Sequence, residues 1–377
     1  MAKILYLVRY PMHKEDNLTA KFNGQMAAMK ALGHSVYFIG WDTNSMRLIG
    51  DEKEYLLVKT PLSKIKGYWY TMLYIDLMKA LRKASELVTF DIVYMRYMPT
   101  FPGAKKAIES VKKTGARLIV EYPTFPAING QTTSWIRKPV FQILEREFKH
   151  IKPMVDGYVA IGEDCGGVID GVTAINVING VQARSYPLHQ NRKETGSIGI
   201  LALASMSKWQ GYDRFIESMD STMTHVTLHM VGGDGDGSLP EWKQLAAEKN
   251  LQTQVIFHGE LHGKQLEEVI AQCDVGLGGL RLYLKDQFQS MPLKLREYMA
   301  RGLPFVYAVD DPSMPDNDRF CMKLPNDNTP IDIIKILDFA KKSKTDDEVG
   351  ADMKAYAIEH LSWEAMMNPI FERFEIL

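Results

Sequence analysis

Lys294 and Glu297 stand three residues apart in the run Pro292-Leu293-Lys294-Leu295-Arg296-Glu297. Proline suits the first turn of a helix and glycine its end, so residues 293–301 are expected as a helix closed by Gly302. Both side chains then share one face near its N-terminus. A cation and a carboxylate so placed can grip a phosphate and a pair of ribose hydroxyls. The plainer reading is a surface ion pair of little energy. A second candidate is the loop Ser205 to Asp213, which holds Ser207 and Lys208 between an expected strand and an expected helix. A lysine at a helix N-terminus adds a point charge to the helix dipole, which suits a diphosphate. The alternative is a surface loop with Trp209 packed on its domain. A third is Val231 to Gly237, rich in glycine and including Gly233. Glycines let a backbone approach a ligand, and amides at a helix start favour phosphate. The spacing is not a dinucleotide fingerprint, and a flexible turn is the competing reading.

The elements that must position these residues alternate between strand and helix. Short apolar runs at 3–8, 35–39, 91–95, 117–121, 157–161 and 175–178 read as buried parallel strands. Between them, Phe22, Met26, Met29 and Leu32 recur at helical spacing, and residues 70–87 and 104–113 carry further helix patterns. Residues 10–18 read as a polar loop. A polar linker is expected from Gln182 to Thr195. A second series follows, with strands at 197–203, 226–231, 255–258, 275–277 and 304–309 and helices at 211–219, 239–249, 264–272 and 293–301. Helix patterns at 331–342 and 346–360 precede a last segment with Trp363. The order predicts an α/β fold of two doubly wound, Rossmann-like parallel sheets joined near residue 180. Ligands on such sheets sit beyond the carboxyl ends of strands, which singles out the loops after Val8, Met95, Val120 and Ile161.

Composition narrows the class. The chain has 377 residues, 24% charged and 46% hydrophobic, the profile of a globular protein of two domains. Cys165, Cys273 and Cys321 show no metal-ligand spacing, so reduced thiols in a cytoplasm are expected. No signal peptide and no run of about 18 apolar residues is visible. Residues 1–180 carry 24 Lys and Arg against 17 Asp and Glu, whereas residues 181–377 carry 21 against 29. The basic half fits an anionic surface or substrate, or merely solvated lysines. Basic pairs at Lys64 and Lys66, Lys105 and Lys106, Lys112 and Lys113, and Arg137 and Lys138, with Trp69, Tyr70 and Trp135 near two of them, suit peripheral contact with an anionic membrane at its inner face. They equally suit an ordinary surface. Nucleic acid is not expected as a partner, because no recognised motif is present.

In order along the chain come Lys208-Trp-Gln-Gly-Tyr-Asp-Arg214, Val231-Gly-Gly-Asp-Gly235, Phe257-His-Gly-Glu-Leu261 and Leu295-Arg-Glu-Tyr-Met-Ala-Arg-Gly-Leu-Pro304. This series resembles the retaining glycosyltransferases of family 4, which have the GT-B fold. The likeness is close over residues 197–309 and looser at Ala31 to Val36 and Glu121 to Thr124. It is nearest to members that build bacterial surface glycans. The resemblance implies a nucleotide-sugar donor, a uridine diphosphate sugar first, and a glycan or lipid-linked glycan acceptor. It implies no cofactor and no metal. It implies an acceptor domain at 1–180, a donor domain at 181–355, and a helical segment at 356–377 crossing back to the first domain, with the two domains facing a central cleft.

Residue roles follow from the same resemblance. Glu297 matches the glutamate that holds the donor ribose. The glutamate that touches the donor sugar falls at Gln289, whose amide can still bond hydroxyls. The basic pair for the diphosphate reads Ser205 and Gln210, leaving the charge to Lys208 and Lys294. Met291, Pro292 and Leu293 would offer backbone amides, and His258 to Leu261 would lie near the nucleobase. Arg9, Tyr10, Arg96, Tyr122 and Thr124 are expected on the acceptor side. Glu121, at a strand end, would either orient the acceptor or serve as a structural carboxylate. The family's glycine-rich loop after the first strand is absent. Two rivals remain. A sugar-nucleotide epimerase of the same architecture needs acids and histidines that are scattered here. A partner-binding subunit without activity fits the residues at 205, 210 and 289.

Overall fold

The computed structural model describes residues 1–12, 17–50, 53–63, 72–98, 100, 103–126, 146–162, 164–192 and 196–376. They form two compact units, residues 1–180 with 363–377, and residues 181–362. The pairs Lys64 and Lys66, Arg137 and Lys138, with Trp69, Tyr70 and Trp135, lie outside the described residues.

The N-terminal unit carries a nine-stranded sheet among the described residues, ordered β4-β3-β2-β1-β5-β6-β7-β9-β8. Its parallel strands are β1 (Lys3–Pro11), β2 (Ser35–Trp41), β5 (Ile92–Arg96), β6 (Arg117–Phe125), β7 (Gly157–Gly162) and β9 (Val172–Val177). Strand order reverses between β1 and β5. Helix α1 (Asn17–Ala31) covers one face together with the last helix, α10 (Trp363–Arg373). Tyr6, Phe22, Tyr94, Trp363 and Phe371 make that core. Helices α2 (Met72–Leu87) and α3 (Ala104–Lys112) cover the other face. Leu73, Leu77, Leu81 and Ala84 of α2 recur at helical spacing and are buried against Leu5, Leu7 and Val93.

Three strands of this sheet are not anticipated by the periodicity. β3 (Ser45–Ile49) and β4 (Glu54–Lys59) pair antiparallel beyond β2, and β8 (Val168–Ile169) pairs antiparallel with β9. The meander at the edge is only part-buried and interleaves Arg47, Glu54 and Lys59 with apolar residues. A search for continuous apolar runs passes over such strands. The expected loops also shrink. β1 runs to Pro11, paired with Trp41, and β6 runs to Phe125, paired with Gly162. Arg9, Tyr10, Tyr122 and Thr124 therefore lie within strands rather than in the loops after Val8 and Val120.

The C-terminal unit carries a six-stranded, wholly parallel sheet ordered β12-β11-β10-β13-β14-β15. Its strands are β10 (Ile198–Leu203), β11 (Val226–Val231), β12 (Val255–Gly259), β13 (Val275–Leu277), β14 (Phe305–Tyr307) and β15 (Cys321–Lys323). The reversal falls between β10 and β13. The helices are α4 (Tyr212–Ser218), α5 (Leu239–Glu248), α6 (Gly263–Ile270), α7 (Leu293–Arg301), α8 (Ile333–Thr345) and α9 (Val349–Tyr356). A π turn at Ala357–Leu361 breaks the single helix expected over 346–360. Short β15 is the one strand here that the sequence pattern does not anticipate. The expected linker is anchored where it is described. Asn191 donates to the Ser343 and Asp346 carbonyls, and Arg192 pairs with Asp274 at 2.6 Å. Gly232 has φ of 139°, and a Cβ there would meet the Ala204 carbonyl oxygen at 1.7 Å, so the turn after β11 admits only glycine.

Trp363 is 2% exposed and fills the space beside Gly180. Trp363→Ala is expected to cost about 3–5 kcal/mol, read as a lower urea midpoint of far-ultraviolet circular dichroism. An unchanged midpoint would show that α10 is not part of the core of the N-terminal unit.

Candidate functional site

Three elements of the C-terminal unit meet around the start of α7. After β10 the chain makes a 3-10 turn at Lys208–Gln210, and Gly211 at φ 68° redirects it into α4. Gln210 is locked by its backbone: its N–H donates to the Ser207 carbonyl and its own carbonyl accepts from Leu280, both at 2.8 Å. Pro292 caps α7 in extended conformation, and Gly302 ends it in the left-handed region at φ 69°, the boundaries that the sequence predicts. Lys294, in the first turn, donates to the Gln210 side-chain oxygen at 2.7 Å and to the Tyr212 hydroxyl at 2.9 Å. Part of the lysine reaches the surface, but the amine is enclosed. Burial alone pulls its pKa down to about 7.

Lys294 and Glu297 do not pair with each other. Glu297 accepts from Arg301 Nε at 2.9 Å, and Arg301 also grips Glu267 through two nitrogens at 2.8 and 2.9 Å. Among the described residues no carboxylate neutralises Lys294. Arg296 turns into the interior. It forms a bidentate ion pair with Asp311, donates to Ser313 Oγ at 2.5 Å, and reaches back to the Pro292 carbonyl at 3.2 Å. Both side chains of the ion pair are wholly buried. The pair thus ties the start of α7 to the loop after β14. Gln289 is held there too, in a parallel bridge with Asp310. Met291 and Pro292 are part-buried and Leu293 is exposed. The first turn of a helix leaves N–H groups without intrahelical partners. Such groups, where they stay open, are a place at which an anion can be received.

The glycine-rich loop does not hold a phosphate cradle. Its amides are used internally: Gly232 donates to Gly259, Gly235 to Met206 and Gly237 to the Asp234 carboxylate. Asp236 accepts from the Lys208 N–H at 3.0 Å and from the Ser238 hydroxyl. Two carboxylates in that loop repel a phosphate rather than draw one. Lys208 is exposed and paired with exposed Glu241 at 3.1 Å, a pair of small energetic weight. Ser207 is buried, and Gly233 lies against Glu260. His258 stacks on His229 with ring nitrogens 3.0 Å apart. Burial and the neighbouring ring pull His229 down to about 4, and burial lowers His258 as well. His258, Met206, Met230, Gly232, Leu239 and Phe257 border a cavity of about 240 Å³. Leu261 is part-buried just beyond β12.

In the N-terminal unit, Glu121 is 0% exposed. Its carboxylate accepts from Gln25 at 2.5 Å and Tyr94 at 2.9 Å, with Lys21 at 3.5 Å and Arg96 at 3.9 Å. Tyr6 donates in turn to Gln25. Burial raises the Glu121 pKa, but Lys21, Arg96 and the two hydrogen bonds more than offset it and leave it lowered. Burial pulls the Lys21 amine down further than Glu121 lifts it. Enclosed in this way, Glu121 is a carboxylate that holds α1 to β5 and β6, and it presents no surface with which to orient an acceptor. Arg96 lies over the Phe22 ring at 5.3 Å and is part-exposed, and Arg9 donates to Tyr74 on the opposite face of the sheet. Tyr10 donates to Asn23 at 2.7 Å, Tyr122 stacks on Tyr158, and Thr124 is exposed.

Sequence reasoning misses Tyr212, Asp311, Lys21, Gln25 and Tyr94, and it assigns no role to Arg296. Tyr212 follows the left-handed Gly211, a visible signal of a tight approach. Asp311 is 15 residues from Arg296 and carries no local signature. Among the described residues no group of three or more His, Cys, Asp or Glu is arranged to hold a metal ion, and no helix is long and apolar enough to cross a membrane.

Comparison with known proteins bears on the fold. The family described as glycosyl transferases group 1 matches residues 197–322, the segment that contains the α7 site. No curated protein matches the chain significantly. Among solved structures, sucrose-phosphate synthase from Thermosynechococcus elongatus superposes with a TM-score of 0.67 at 14% identity, covering 100% of both chains. Anabaena HepE in complex with UDP gives 0.61 at 14%, also over 100% of both. Starch synthase IV from Arabidopsis thaliana, bound to ADP and acarbose, gives 0.64 at 11%, over 100% of this chain and 99% of that one. The fold is thus GT-B, with two Rossmann-like parallel-sheet units.

Asp311→Ala leaves the buried Arg296 charge unpaired and is expected to cost about 3–5 kcal/mol. The double change Arg296→Met with Asp311→Leu is expected to restore much of that loss. Chemical denaturation of the three proteins checks the pair. Equal losses in single and double variants would show that the ion pair does not hold α7.

Proposed function

We propose that the chain is a glycosyltransferase. It moves a sugar, with retention, from a nucleoside-diphosphate sugar to a glycan or lipid-linked glycan acceptor in polysaccharide or glycoconjugate assembly. The observation that carries the reading is the enclosed Lys294 amine at the start of α7, with only neutral partners among the described residues. A diphosphate supplies the charge that this position lacks. The match of residues 197–322 to a glycosyltransferase family supports it, as does the likeness in fold to proteins solved with UDP, UDP-glucose or ADP. Uridine diphosphate donors come first.

In this scheme Lys294 and the backbone N–H groups of Met291 and Leu293, on either side of Pro292, stabilise the departing diphosphate. Glu297, held by Arg301, takes the ribose hydroxyls, and the Gln289 amide takes hydroxyls of the donor sugar. His258 and Leu261 lie toward the nucleobase, with Gly233 and Ser207 shaping the loops beside it. Lys208 adds long-range attraction only, since Glu241 already pairs with it. The acceptor attacks on the face that the diphosphate leaves, and the leaving phosphate takes the acceptor's proton, so the scheme needs neither metal nor protein base. Arg9, Tyr10, Arg96, Tyr122 and Thr124 receive the acceptor at the carboxyl ends of their strands, and Glu121 positions Arg96. The exposed Lys105, Lys106 and Lys113 of the α3 region give the acceptor side an attraction to anionic lipid.

Calorimetry with UDP and hydrolysis of UDP-sugars test the scheme. A charge-assisted hydrogen bond is worth about 1.5–3 kcal/mol, so Lys294→Ala is expected to weaken UDP by about tenfold to a hundredfold. Glu297→Ala should weaken it similarly. Unchanged affinity and turnover in both variants would sink the reading. A folded protein that binds no nucleoside diphosphate at millimolar ligand would instead be a partner-binding subunit, the reading that Ser205, Gln210 and Gln289 favour.

A further inference from the structure

An ammonium carries three donors. The two acceptors supplied to Lys294 are both neutral, and both are fixed before any ligand arrives. Tyr212 donates its hydroxyl to the Leu277 carbonyl at 3.3 Å, which turns its lone pairs toward the lysine. Gln210 is 3% exposed and pinned by its own backbone on both sides. The other charged groups nearby are already engaged. Glu297 binds Arg301, Arg296 binds Asp311, Asp213 binds Arg281, and Lys208 binds Glu241. Tyr298, on the same helix, donates to the Leu277 carbonyl at 3.2 Å. Burial raises the pKa of both tyrosines, so neither supplies a phenolate at neutral pH. An enclosed ammonium without a counter-charge has two ways to relieve its cost: lose the proton or acquire an anion.

We propose, resting on the donor reading above, that Gln210 and Tyr212 are positioning residues that hold Lys294 as a proton-exchanging receptor for a diphosphate. A proton enters the site with the ligand and leaves with it. Before binding, burial beside neutral acceptors favours the neutral amine and brings its pKa down to about 7. The diphosphate restores the charged form and lifts the pKa toward the ordinary lysine value of about 10.4. Binding therefore takes up a proton from solvent at pH above 7, and release returns it. The sign is fixed: affinity falls as pH rises from about 7, by at most about tenfold per unit for one linked proton, and levels off below 7. The terminal phosphate of the ligand titrates near pH 6, outside that window. Gln210 and Tyr212 set the depth of the effect because a charge at either position would change what the amine needs.

The test is UDP binding by calorimetry to the full chain between about pH 7.5 and 8.5, in buffers of different ionisation heat. The wild type is expected to lose roughly tenfold in affinity across that unit and to take up a proton. Gln210→Glu supplies a carboxylate, so affinity at the lower pH falls and the slope flattens. Tyr212→Phe removes one acceptor, so the amine sheds its proton more readily and affinity weakens already at the lower pH. A merely structural role would move the melting temperature and leave unchanged both the slope of Gln210→Glu and the pH below which the affinity of Tyr212→Phe levels off, which the proposal expects to fall below the wild-type value of about 7. A pH-independent wild-type affinity, or wild-type slopes in both variants, overturns the proposal. Carbon-13 NMR of labelled lysine separates it from the donor reading, with inorganic pyrophosphate as probe. A Lys294 signal that titrates near neutrality and shifts upward with pyrophosphate sustains the proposal even if UDP fails to bind, in which case the donor reading falls by itself. A Lys294 signal that titrates in the ordinary lysine range without ligand overturns it.

Discussion

The ion pair between Arg296 and Asp311 decides what the start of α7 can do. Two wholly buried charges satisfy each other and Ser313, and the guanidinium also reaches the Pro292 carbonyl. A buried pair of this kind adds little net stability, but breaking it leaves an unpaired charge, so its value lies in holding one arrangement. With Arg296 directed inward, Lys294 and Glu297 project from the other side of the same short helix into separate surroundings. One meets neutral acceptors and the other a guanidinium. The asymmetry on which the proposed anion site rests follows from that fixed orientation.

The two units use buried charge differently. In the N-terminal unit Glu121 draws Lys21, Gln25 and Tyr94 together, and its charge is offset by two cations. The network joins α1 to the central strands at the point where their order reverses. In the C-terminal unit the cation near the corresponding reversal, Lys294, has no such offset among the described residues. Compensated charge there serves position, whereas the uncompensated charge is the one that the proposed diphosphate would meet.

Much of this was legible in the sequence, for reasons that differ by residue. The parallel strands are continuous apolar runs, and the α7 boundaries are marked by Pro292 and Gly302, so both can be read locally. The pairing of Lys294 with Gln210 and Tyr212 spans more than 80 residues, and spacing along a helix cannot reveal it. The helix rule placed Lys294 beside Glu297, yet tertiary partners took each of them away. The glycine-rich loop misled because glycine reports backbone freedom and not the direction of its amides; Asp234 turns one of them inward. The β3–β4 edge escaped notice because its exposed face interrupts the apolar run.

The last helix gives the chain a temporal asymmetry. Tyr6, Phe22 and Tyr94 are covered in part by Trp363, Met367 and Phe371, which the ribosome makes only after all of residues 181–362. At ordinary rates of synthesis that is a wait of roughly 10–40 s. During it the first-made sheet has one apolar face incompletely roofed, while the second unit is still being made. The half of the protein that begins first is thus the half that finishes last, and its hold on a chaperone or on its own neighbours is decided in that interval.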